Sequence, residues 1–241
     1  RTGAVTSQFR AEDILRAVPG LRKIARFRAR QVATILSENM TPAIWQELAR
    51  AILDEIQSGA TGVIVTHGTD TMSYTAAAVS FMLETPVPVI FVGAQRSEDR
   101  PSSDSTMNTL CSAAAAVSDL SGVSVVMHAG PSDDRCAIHR ATRVRKMHTS
   151  RRDAFRSIGE EPAGMVEYPS LSVSLGSDTP RRGPGNALLR EHIEERCALL
   201  WFQPGMPPSV LDGYRAMRGL VIAGTGLGHV SSQWVELLAG R

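Results

Sequence analysis

Short apolar runs bounded by glycine or proline, separated by helix-length patterns, constrain this chain more than any other feature. "TGVIVTHG" (61–68), "VPVIFVGA" (87–94), "GVSVVMHAG" (122–130), "RCALLWFQPG" (196–205) and "GLVIAGTG" (219–226) read as strands. They are rich in Val and Ile and apolar on both faces, so each needs cover on both sides. Between them lie helix candidates at 42–58, 71–84, 104–118 and 207–217. The first opens on Thr41-Pro42, a capping residue followed by proline at the first helical position, with Glu47 in its early turns. Strand and helix in alternation imply an α/β fold: a parallel sheet with helices on both faces. Residues 160–192 break the rhythm with Pro162, Pro169, Pro180 and Pro184 and many Ser and Gly. The expected organisation is therefore an α/β domain over 1–160, an irregular excursion and linker over 161–195, and the start of a second, smaller α/β domain over 196–241.

A chain of 241 residues can bury a sizeable core, and 43% hydrophobic with 21% charged residues is ordinary for a globular protein. A net charge of +2 is too mild to argue for nucleic acid by itself. Cys111, Cys136 and Cys197 are odd in number and form no CxxC pair, which suits a reducing cytoplasm better than a disulfide framework. No apolar run is long enough for a membrane span and no secretory h-region is seen, so neither a span nor a signal peptide is expected. The histidines show no metal-ligand spacing, and neither a GxGxxG fingerprint nor a Walker A motif is present; "GTGLG" at 224–228 resembles a nucleotide turn only loosely.

In an open parallel sheet, ligands bind beyond the carboxyl ends of the strands. Thr66-His67-Gly68-Thr69-Asp70-Thr71 occupies such a place, where glycine admits close backbone approach and a helix N-terminus favours an anion or a developing oxyanion. Capping of the following helix by Thr69, Asp70 or Thr71 is the competing explanation. The next strand ends in Gly93-Ala94-Gln95-Arg96-Ser97, and Ser103 and Asp104 are expected to cap helix 104–118. "RATRVRKMHTSRRDAF" (140–155) is strongly basic and reads as a solvated face, with RNA contact the rarer use. A lysine brought beside a threonine and an aspartate would lower a hydroxyl's pKa for nucleophilic catalysis.

"VTHGTDTMSYTAAAVSFML", "VPVIFVGAQRSEDRPSSDSTMN" and "RVRKMHTSRRDAF" resemble the bacterial-type L-asparaginase family. Within it they are most similar to the branch formed by the D subunits of archaeal glutamyl-tRNA(Gln) amidotransferases. "RTGAV" (1–5), "LSENMTPAIW" (36–45) and "GLVIAGTGLGHVS" agree with this. The resemblance implies hydrolysis of a side-chain amide through a threonine nucleophile and an acyl-enzyme, with release of ammonia. By motif position it implies a proton-handling pair of Thr69 and Lys146, and Asp70 on the substrate's ammonium group. It implies Ser37 and Glu38 on the α-carboxylate and α-amino group, and Gly68 and Ala94 as backbone contacts.

The same resemblance implies glutamine or asparagine as substrate, a homodimer, an E subunit as partner and Glu-tRNA(Gln) engaged through the complex. No cofactor is expected in this subunit; ATP and Mg are used by the partner. The family's primary nucleophile lies upstream of the "RTGAV" loop, so we expect the chain to be a fragment that is inactive as given, with an unpaired edge beside its central strands. Three other readings stand beside this one: a free-standing L-asparaginase or glutaminase, a non-catalytic binding or assembly subunit of the same fold, and a nucleic-acid-binding module built on residues 140–152.

Overall fold

A computed structural model of the chain describes residues 11–96 and 101–239. The "RTGAV" stretch, residues 97–100 and residues 240–241 lie outside the described residues. The chain divides into two compact units, residues 1–191 and 192–241.

In the first unit, helix α1 (Ala11–Ala17) and a 3-10 turn (Pro19–Lys23) place Val18 and Leu21 against Ala113. Helix α2 (Pro42–Gln57) starts as its sequence predicts: the Thr41 hydroxyl accepts the Ile44 N–H at 3.4 Å. It stops at Gly59, whose φ of +92° carries the chain out of the helix while Ala60 N–H reaches back to Glu55 O. Strand β1 (Val63–Thr66), helix α3 (Met72–Met82), the two-residue β2 (Leu83–Glu84), β3 (Pro88–Val92), helix α4 (Ser105–Val117) and β4 (Gly122–His128) follow. β1, β3 and β4 pair in parallel, Val63 opposite Val89 and Val89 opposite Val123. Every residue of β3 is buried, as apolar character on both faces requires.

The sheet then continues in a way the apolar runs do not announce. β5 (Arg135–Arg140) pairs antiparallel to β4, and beyond the hairpin β6 (Val144–Lys146) and β7 (Phe155–Ser157) come β8 (Gly164–Glu167) and β9 (Val173–Leu175), both antiparallel. The order is β1-β3-β4-β5-β8-β9. Residues 160–192, irregular by pattern, thus supply two sheet strands and the short β10 (Leu188–Leu189), which pairs with β2. Ile90, Val126, Ile138 and Val166, one from each successive strand, form a common face under Met107, Cys111 and the alanines of α4. Arg182 donates to three backbone carbonyls, Thr61 and Ser118 at 2.5 Å and Ala116 at 2.8 Å. These lie at the strands' starting ends.

The second unit holds parallel strands β11 (Cys197–Trp201) and β12 (Gly219–Ala223) and helix α5 (Ser232–Ala239). Its core is Leu200, Phe202, Leu211 and Trp234, with the Phe202 ring edge-on to Trp234 at 5.2 Å. The helix expected at 207–217 is instead a 3-10 segment, Pro208–Tyr214. Gly213 inside the segment disfavours an α-helix there, whereas Pro207-Pro208 stand at its start, where proline is tolerated.

Candidate functional site

The parallel strands β1 and β3 end side by side, with His67 N–H donating to Val92 O at 2.9 Å. Their following turns therefore pack directly on each other. A side chain at Gly93 would lie 2.6 Å from His67 O and 2.9 Å from Thr69 Cγ2. One at Gly68 would lie 2.7 Å from Ser37 Cβ. Only glycine lets these three segments close to such distances.

Lys146, at the end of β6, reaches this rim from across the sheet. Its Nζ donates to Thr69 Oγ1 at 2.8 Å and to Asp70 Oδ1 at 2.6 Å. The lysine side chain is 11% exposed while that of Asp70 is 72% exposed, so the nitrogen is sheltered and the carboxylate faces outward. Thr71 does not cap α3; its hydroxyl donates to Ser37 O at 2.6 Å and fastens the Ser37–Asn39 turn against the Gly68–Thr71 turn. Simple capping is thus not what Thr69, Asp70 and Thr71 do.

Ser37 is buried against Gly68, and Ala94 is half-buried in the turn after β3. Glu38 is exposed beside Ser37, and no hydrogen bond or ion pair among the described residues joins it to Thr69, Asp70 or Lys146. A cavity of about 500 Å³ runs along β1, an edge strand of the sheet among the described residues, and touches the site at Ser37, His67, Gly68, Gly93 and Ala94. The lysine group stands outside that lining. His67 Nδ1 meets Gly68 O at 2.7 Å, its Nε2 is buried without a partner among the described residues, and burial pushes its pKa down.

The basic segment supports the lysine rather than forming a uniform face. Asp153 is buried, and Arg151 grips it through two bonds of 2.8 Å, with Arg156 adding a third at 2.6 Å. The hydrogen bonds from Arg151 are the main reason its carboxyl is held below the usual range. Met147 N–H donates to Ala154 O at 2.7 Å, closing the hairpin that carries Lys146. Arg140 and Arg143 share Glu160, and Arg152 binds Asp133.

Asp104 uses its side chain differently from the expected cap. It stands at the N-cap position of α4 but makes no cap bond; its carboxylate accepts Gln95 N–H at 3.0 Å and Arg96 N–H at 2.8 Å. Asn108 and His128, which join it in one buried network, were missed, because a single Asn in an alanine-rich helix carries no signal of its own. Among the described residues no group of three His, Cys, Asp or Glu side chains could hold a metal ion, and no helix is long and apolar enough to cross a membrane.

A family model described as "Asparaginase, N-terminal" matches residues 1–177. A protein of Methanosarcina barkeri, named as the D subunit of glutamyl-tRNA(Gln) amidotransferase, is 59% identical over 98% of this chain and 56% of its own length. One of the same name from Archaeoglobus fulgidus is 53% identical over 99% of this chain and 57% of its own length. The chain thus spans a little over half the length of these relatives. The thermostable L-asparaginase from Thermococcus kodakarensis superposes with a TM-score of 0.83 at 28% identity, covering 100% of this chain and 72% of that one. A probable cytoplasmic L-asparaginase from Campylobacter jejuni gives 0.79 at 26% identity, covering 95% of this chain and 73% of that one.

Proposed function

We propose, for a chain that belongs to the asparaginase family, that it is the ammonia-releasing part of a glutamyl-tRNA(Gln) amidotransferase. The observation that carries this reading is Lys146 Nζ within hydrogen-bond reach of both Thr69 and Asp70, on the rim where two parallel strands end. A hydroxyl attacks the side-chain amide carbon of glutamine or asparagine. The proton it loses passes through Thr69 and Lys146 to the departing nitrogen, which leaves as ammonia, and water then hydrolyses the ester. The attacking hydroxyl is assigned by family resemblance to a threonine upstream of Arg1. Asp70, exposed beside Lys146, takes the substrate's ammonium together with Glu38, and Ser37 takes the α-carboxylate. Backbone groups at Gly68 and Ala94 lie near the carboxylate and the scissile amide.

The amidotransferase branch is supported by relatives at more than half identity that carry that name, against solved asparaginases at about half that value. On this reading the chain works in the cytoplasm as a homodimer with an E subunit. That partner spends ATP, with Mg, to activate the glutamate on Glu-tRNA(Gln), and the ammonia made here converts it to Gln-tRNA(Gln).

The test is ammonia release from glutamine and asparagine by this chain and by the chain extended with all the segments of the Methanosarcina barkeri relative that it does not span. Turnover in the extended chain that Lys146→Met lowers by about a thousandfold or more is expected, given what loss of a proton-handling group costs. Full turnover in the Lys146→Met variant would sink the reading.

A further inference from the structure

The Gly93–Arg96 turn is held from beneath by buried polar groups that the reaction above does not use. Asp104 accepts the N–H groups of Gln95 and Arg96. Asn108, one helical turn later and fully buried, donates Nδ2 to Gly93 O at 3.0 Å and to Asp104 Oδ2 at 2.9 Å. Both of those partners are acceptors, so chemistry fixes which end of the amide points where. Asn108 Oδ1 is then left to meet His128 Nδ1 at 2.6 Å.

The other nitrogen of the His128 ring lies 3.2 Å from Asp133 Oδ1, and Asp133 is bound by Arg152. Arg152 sits in the loop closing the hairpin that carries Lys146. A second tie runs more directly: Gln95 Nε2 donates to Arg151 O at 2.8 Å, in the same loop. A buried polar cluster can serve the fold alone. This one has specific ends, since it pins the peptide groups on both sides of Ala94 and terminates on the lysine hairpin.

We infer that Asn108 is a positioning residue for amide hydrolysis, holding the Ala94 turn and the Lys146 hairpin at one fixed separation. The inference rests on the reading given under Proposed function. Its physical content is that the amide carbonyl is placed by one segment and the proton is handled by another. A relative shift of about 1 Å between such groups costs on the order of a hundredfold in rate. The groups assigned to grip the zwitterion, Ser37, Glu38 and Asp70, hang on other turns, so substrate binding is spared.

The experiment uses the chain extended to its relative's full length, with glutamine and asparagine, comparing the parent with Asn108→Ser and Gln95→Met at a temperature where all are folded. Asn108→Ser should lower kcat about tenfold or more with KM changed less than about twofold. Backbone amide exchange should quicken both at 93–96 and in the 146–153 hairpin. Gln95→Met, which removes only the direct tie from a half-buried position, should lower kcat about threefold or more at the same KM. Should Asn108→Ser fail to fold, Gln95→Met decides alone. Unchanged kcat in the folded variants, or faster exchange at 93–96 with the hairpin unaffected, would overturn the inference. An inactive parent would overturn the underlying reading and this inference with it, and would be seen before any variant was made.

Discussion

Lys146 is sheltered while its partner Asp70 is open to solvent, and this inequality is what gives the pair a use beyond holding the fold together. An ion pair with one exposed member contributes little stability, so Asp70→Asn should leave the melting temperature almost unchanged. Its cost should fall on KM for the amide substrate, raised by about tenfold or more through loss of a charge-assisted contact to the ammonium group. Steady-state kinetics on the extended chain check this; a fall in kcat alone would move Asp70 from binding to proton transfer. Gly68 makes the opposite point. A methyl group there meets Ser37 Cβ at 2.7 Å, so Gly68→Ala must push the Ser37 turn off the rim. We expect it to cost about 1–3 kcal/mol in urea unfolding and to weaken substrate binding as well.

Among the elements, α2, α3, α4 and the parallel strands were legible because their signals are local: a Thr-Pro start, alanine-rich helical spacing, Val and Ile on both strand faces. The antiparallel half of the sheet was not. β5 reads "RCAIHR", where arginine and histidine hide the strand pattern, yet four of its residues are buried between neighbours. β8 and β9 sit among prolines and glycines and exist only because β5 offers an edge to pair with. The candidate site divides the same way. Thr69, Asp70 and Lys146 were picked out by motif, whereas Asp104 was misread as a cap because nothing local tells a carboxylate which of two sets of N–H groups it will meet. Close approach between elements gives a further test. A side chain at Gly62 would stand 2.2 Å from Ala116 O, at the end of α4. Gly62→Ala should therefore destabilise by about 2 kcal/mol or more, read from the urea midpoint.

For the molecule as a whole, His139 is a main group through which stability responds to mild acid. Burial, with Arg156 nearby, pushes its pKa down to about 4 from an ordinary 6.5. Between those values the unfolded chain binds more protons than the folded one, so the contribution is fully present above about pH 6.5 and is lost as the pH falls towards 4. The loss approaches about 3 kcal/mol at its limit. His67 is shifted in the same direction and adds to it. Urea midpoints at pH 7.5 and pH 5 should differ less in His139→Gln than in the parent; equal differences would mean that His139 does not drive the acid response.

Arg182 ties Thr61, Ala116 and Ser118 together where the strands begin, at the rim opposite Thr69 and Lys146. Its replacement by methionine should lower stability by about 2 kcal/mol while leaving the kinetics of the folded fraction intact. The two rims can accordingly drift on separate schedules. A lineage moving to hotter or colder surroundings can retune the clasp at one end of the strands generation after generation, without reopening the question of how an amide is cut at the other.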